Sequence, residues 1–197
     1  CAMGFGSGEE ETVTTGVSTM MIGDDTAYSY LGSSSSEDGD AGDSGGNWGE
    51  NGQPSSAAND VQKKLIEAAN STGWPGASLC ATWTSRVFRA AFGVSFNGDG
   101  GDQYRMIQNK SQDKSDLEIG MIVACAATPT KAGRKYGHTA IYIGDGMVME
   151  SLNTGVAITP IDDWIRIHSS KSRAPNSYGW GWLPGFDLST NQEPTKD

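Results

Sequence analysis

Gly144-Asp145-Gly146 is the feature that most constrains how this chain can fold. It separates two β-rich runs, Thr139–Ile143 and Met147–Leu152, and supplies the turn residues that a tight antiparallel hairpin needs. The turn sets the register, and the register decides which side chains share a face. A three-residue turn over 144–146 places His138 opposite Leu152, with Glu150 a diagonal neighbour of His138 on the same face. A two-residue turn over 145–146 places His138 opposite Asn153 and points Glu150 away. A regular strand offers one of Glu150 and Asn153 to that face, not both, and a bulge relaxes the rule.

Around the hairpin the pattern is helices first, strands afterwards. Asn59 or Asp60 caps a helix from Val61 to about Asn70, with Val61, Leu65 and Ala68/Ala69 on one face. The stretch from Ser71 to Gly76 reads as a turn. Leu79, Trp83, Val87 and Ala90/Ala91 mark a second helix that opens at Ser78 and ends at Gly93, and Asp102–Asn109 predicts a short third one. Ser111–Glu118 reads as a polar loop. Met121–Ala126 is a buried strand, Val156–Thr159 another, Pro160 starts a short helix to Ile167, and Tyr178–Leu183 is the last strand. This order predicts an α+β fold of helices packed on an antiparallel sheet.

Charge divides the chain. Of 24 acidic residues, eleven lie in residues 1–60, where no Lys or Arg occurs, so a net charge of −10 conceals a nearly neutral domain behind an acidic leader. We expect residues 1–58 to be a largely flexible Gly/Ser-rich linker, with a short element within Thr12–Leu31, a domain over 59–188 and a flexible tail over 189–197. The acidic cluster Asp38–Asp43 fails the ligand spacing of a calcium loop. Acidity argues against nucleic acid as a partner, and no apolar run is long enough to span a membrane. Cys1 ahead of an acidic, Gly-rich leader is also what a lipid-anchored chain looks like.

The chemistry points to a thiol. Cys80 falls in the first turn of the second helix, where the helix dipole and the backbone N–H groups favour a thiolate. His138 opens a strand, and an imidazole facing a helix-start thiol is a nucleophile with its general base. Three cysteines at irregular spacing do not make a disulfide framework. Two histidines 30 residues apart match no metal-ligand spacing, so neither metal nor cofactor is expected. Cys125 reads as inert core, His168 as a solvated loop residue, and Trp180 and Trp182 as packing.

The segments Cys80-Ala81-Thr82-Trp83-Thr84-Ser85-Arg86-Val87-Phe88 and Gly137-His138-Thr139-Ala140-Ile141-Tyr142-Ile143-Gly144-Asp145-Gly146 resemble the NlpC/P60 cysteine peptidases and their CHAP relatives. The resemblance covers about residues 60–185. It implies a papain-like fold, a peptide or amide bond of peptidoglycan or a muropeptide as substrate, and a cell-wall or extracellular location. Carried onto this chain, it implies Cys80 as nucleophile, His138 as base and Glu150, twelve positions on, as third member. Asn153 is the secondary candidate through the Glu…Asn pair of CHAP domains. Leu79 stands where the family usually has an acid before the nucleophile, and Trp74 lies in the region of a substrate-side tyrosine. Trp74 and Trp83 are the candidate substrate-binding residues. Competing readings are another amide-directed acyl-transfer enzyme on this fold, a catalytically inactive wall-binding module, and an accessory domain of a larger chain or of a secretion, conjugation or phage apparatus.

Overall fold

In the computed structural model, residues 58–169 and 177–195 are described. The acidic leader, its Thr12–Leu31 stretch and Cys1 lie outside the described residues. Helix α1, Asp60–Ser71, starts where the sequence predicts. Asn59 accepts from the Gln62 N–H, the Gln62 side chain accepts from the Asn59 N–H, and Val61, Leu65 and Ala69 are buried. Helix α2, Cys80–Phe92, ends at Gly93 in the left-handed conformation (φ 80°). Helix α3, Gly100–Met106, begins two residues before the expected start, because Asp99 caps it by accepting from the Asp102 N–H.

Six strands form one antiparallel sheet: β1 Gln108–Ser111, β2 Ile122–Cys125, β3 His138–Gly144, β4 Met147–Leu152, β5 Gly155–Pro160 and β6 Tyr178–Trp182, in the order β1-β6-β2-β3-β4-β5. Two elements were not expected. Strand β1 is a polar edge strand that overlaps the last two residues of the expected third helix and runs into the expected polar loop, and α4, Lys131–Tyr136, is a short helix between β2 and β3. Helix α5, Ile161–Trp164, continues as a wider π turn over Ile165–Ser169. Helix α2 packs on β3 and β4, and α3 on β2 and β3. Between them a buried polar knot joins the layers: Thr139 Oγ1 donates to Gln103 Oε1 at 2.7 Å, and Gln103 lies against the Thr84 hydroxyl.

The hairpin combines both turn readings. Asp145 and Gly146 have positive φ (61° and 77°) and form a two-residue turn with Gly144 opposite Met147. The register then shifts, so that Tyr142 faces Val148 and Ile141 faces Met149. Ile143 is the extra residue of a β-bulge. Beyond it the pairing is that of the longer turn, which brings Glu150 onto the face of His138.

The end of the chain returns to α1. Asn59 Nδ2 donates to Leu188 O, the Val61 N–H to Asn191 Oδ1, and Lys64 pairs with Glu193 at 2.6 Å. Residues 189–193, expected in a flexible tail, are thus tied to the domain; the fully buried Leu188 side chain anchors them.

Candidate active site

Cys80 is the first residue of α2. The preceding loop is held by an Asn153 Oδ1 that accepts from the Ser78 N–H at 2.9 Å, with Ser78 at φ 64°. Backbone N–H groups at a helix start have no intrahelical acceptor and, with the dipole, favour a thiolate there. The side chain is fully buried. Its sulfur is disulfide-bonded in this structure, contrary to the expectation from cysteine spacing, so thiol chemistry belongs to the reduced protein.

His138 opens β3 and is buried. Its Nε2 lies 2.7 Å from Glu150 Oε1, with Glu150 only 1% exposed. The other carboxylate oxygen accepts from Thr159 Oγ1 on β5. Sequence reading missed a third partner. His168, expected in solvent, places its Nε2 3.0 Å from the same Glu150 Oε1 and stacks on the His138 ring with centroids 4.1 Å apart. Trp164 completes a three-ring cluster, its centroid 6.1 Å from His138 and 5.3 Å from His168. No spacing signal links residues 138 and 168; the π turn brings the second imidazole back over the sheet.

Hydrogen bonding to a carboxylate requires a hydrogen on His138 Nε2, which leaves Nδ1 as the basic nitrogen. Burial and the charge of His168 lower the proton affinity of His138, and the Glu150 hydrogen bond only partly opposes them. Burial alone would push Glu150 up, but His168 and His138 together hold it well below the usual carboxylate range. The resting pair is therefore an ionised Glu150 beside a neutral His138. A cleft of about 360 Å³ is lined by Ser78, His138, Ser151, Asn153 and His168 together with Thr128 and residues of α4.

A family model for the NlpC/P60 family matches residues 73–170. Residues 73–170 are an NlpC/P60 family domain. Such domains are typically cell-wall peptidases, generally with a catalytic cysteine. Among solved structures the chain is similar to an NlpC/P60 family protein from Bacillus cereus ATCC 10987, at 22% identity over 62% of this chain and 40% of that one, with a TM-score of 0.42. It is also similar to NlpC2 from Trichomonas vaginalis, at 15% identity over 64% of this chain and 47% of that one, with a TM-score of 0.45. The chain thus spans less than half the length of either. No curated protein matches.

The remaining candidates fall elsewhere in the NlpC/P60 domain. Asn153 sits in the β4–β5 turn and braces Ser78, away from the Glu150 position on His138. Trp74 is half-buried and donates its indole N–H to Leu152 O at the end of β4. Trp83 cannot bind substrate. It shares the core stripe of α2 with Val87, is fully buried, and donates to Thr72 O. Cys125, opposite His138 on β2, is buried, and burial pushes its thiol up to about 12. Ser151 is an addition: its buried hydroxyl has no partner among the described residues, and the residue lines the cleft.

His138, Glu150 and His168 bring one ligand atom each within 4.8 Å of one another, a convergence that sequence spacing concealed. Their geometry suits a shared carboxylate better than a metal ion. Imidazoles stacked at 23° between planes cannot both aim in-plane lone pairs at one ion some 2.0–2.1 Å away, whereas the longer hydrogen bond tolerates the offset.

Proposed function

We propose that this domain is a cell-wall hydrolase that cuts a peptide or amide bond of peptidoglycan with Cys80 as nucleophile. The observation that carries the reading is the buried 2.7 Å contact between His138 and an ionised Glu150, in a family domain whose cysteine begins a helix packed on the same strands. Glu150 holds the imidazole with Nδ1 as its base, and His138 takes the proton of the reduced Cys80. The thiolate attacks the substrate carbonyl, and the tetrahedral oxyanion is stabilised at the start of α2. Collapse expels the amine, which leaves with a proton from His138, and water releases the acyl group from sulfur. A wall substrate implies an extracellular or wall-associated setting, and the mechanism needs no cofactor.

The test is lysis of purified peptidoglycan by reduced protein. Cys80→Ala is expected to abolish lysis and leave Tm nearly unchanged, with the bond identified by mass spectrometry of released muropeptides. Lysis retained by the variant overturns the reading.

A further inference from the structure

The site contains more machinery than a thiol, a base and one orienting carboxylate. His168 side chain is only 12% exposed, and it reaches Glu150 because α5 widens into a π turn over Ile165–Ser169. Such turns often accompany functional positions. Glu150 Oε1 lies within hydrogen-bond distance of both imidazoles, at 2.7 and 3.0 Å, while Oε2 takes Thr159. Both oxygens of the carboxylate are thus engaged, and the two rings that share it are stacked.

We propose that His168 is a positioning residue of this site: it takes a share of the Glu150 carboxylate, stacks on His138, and so tunes His138 as a base. The proposal rests on reading Cys80 and His138 as the reacting pair. The mechanism is electrostatic and steric together. One carboxylate neutralises one cation well and two poorly, so a positive charge on His168 disfavours a second on His138. The His168 and Trp164 rings both pack against His138, at 4.1 and 6.1 Å between centroids, and restrict the rotation of its ring. The other titratable groups around the pair are Cys125 on β2, whose Sγ lies 3.9 Å from His168 O, Cys80 at the start of α2, and Lys131 in the cleft lining. On the element of His168 itself, Arg166 is paired with Asp163, and Asp162 with Lys114.

Two variants separate the roles. His168→Phe keeps an aromatic face and removes both donor and charge. His168→Gln keeps an N–H donor and removes the charge. The readout is the pH dependence of Cys80 alkylation by iodoacetamide in reduced protein. Peptide mass spectrometry follows Cys80 apart from Cys1 and Cys125. Loss of a neighbouring cation makes the first proton of the Cys80–His138 pair harder to remove, so the acid limb is expected to move up by about one pH unit in both variants. Lysis is expected to fall about tenfold or more in the Phe variant, and less in the Gln variant. An acid limb at the wild-type position in the folded variants overturns the proposal and leaves His168 a packing residue; if the Phe variant does not fold, the Gln variant decides alone. The alkylation profile needs no substrate. A shifted limb in a protein that fails to lyse peptidoglycan would therefore sink the hydrolase reading and support the role of His168.

Discussion

Glu150 is the residue on which the site turns, because its carboxylate bonds His138, His168 and Thr159 at once. Glu150→Gln removes the charge while keeping the shape. An amide can present its NH₂ to an imidazole and stabilise the wrong tautomer, so kcat is expected to fall about 10²–10⁴-fold in a lysis assay. The same residues fix the acid sensitivity of the fold. His138 sits below its ordinary value of 6.5 and Glu150 below 4.5, so the unfolded chain binds more protons than the native one through this range. Stability is full above the unfolded value of His138 and is lost as pH falls, first through His138 and then through Glu150. A Tm series from pH 8 to 4 is expected to decline from about pH 6.5 downward; a flat profile would contradict the assignment of a neutral His138. The disulfide at Cys80 adds a condition: lysis is expected only after treatment with a thiol reductant, and activity of the fully oxidised protein would exclude Cys80 as nucleophile.

At the level of elements, α3 holds the base in place through an absent side chain. A Cβ on Gly100 would lie 2.6 Å from the His138 nitrogen and 2.8 Å from its Cα, and those are backbone atoms that cannot swing aside. Gly100→Ala is therefore expected to displace the start of β3 and cost tenfold or more in kcat/KM, about 1.4 kcal/mol in transition-state stabilisation. Gly101→Ala, whose nearest neighbours are a carbonyl at 3.3 Å and the flexible Arg105, is the control with a small effect. This packing was invisible in the sequence, and so were β1 and α4. Gln108-Asn109-Lys110-Ser111 is polar and mostly exposed, so it has no alternation to read and forms only because β6 offers an open edge. His138 and Glu150 were legible because a hairpin with explicit turn residues narrows the partner of His138 to Glu150 or Asn153, and the family resemblance favours Glu150. The bulge at Ile143 was not, since nothing in that residue distinguishes it from a regular strand position. His168 was illegible because its route to Glu150 runs through tertiary packing, and Trp83 was misread because a residue three positions after the nucleophile also falls on the core stripe of its helix.

Across the whole molecule, the domain closes where its two ends meet. Leu188 is fully buried and its carbonyl receives Asn59, while Asn191 bonds Val61 just inside the first turn of α1. Ending the chain after Asp187 removes an apolar anchor and two hydrogen bonds to the helix start. The expected cost is about 3–4 kcal/mol, read as a Tm lower by roughly 10 °C in a thermal melt. Lys64 and Glu193 contribute little of this, being an exposed pair. Substitution of Lys64 alone is expected to leave Tm within a degree or two.

The same clasp has a mechanical consequence. Tension applied to the two ends of the domain, as on a chain held between two attachment points, acts first on the bonds joining residues 59–61 to 188–191. The sheet that carries His138 and Glu150 lies behind them in the line of force. Such a load therefore meets the clasp before it meets the strands that carry the reacting groups.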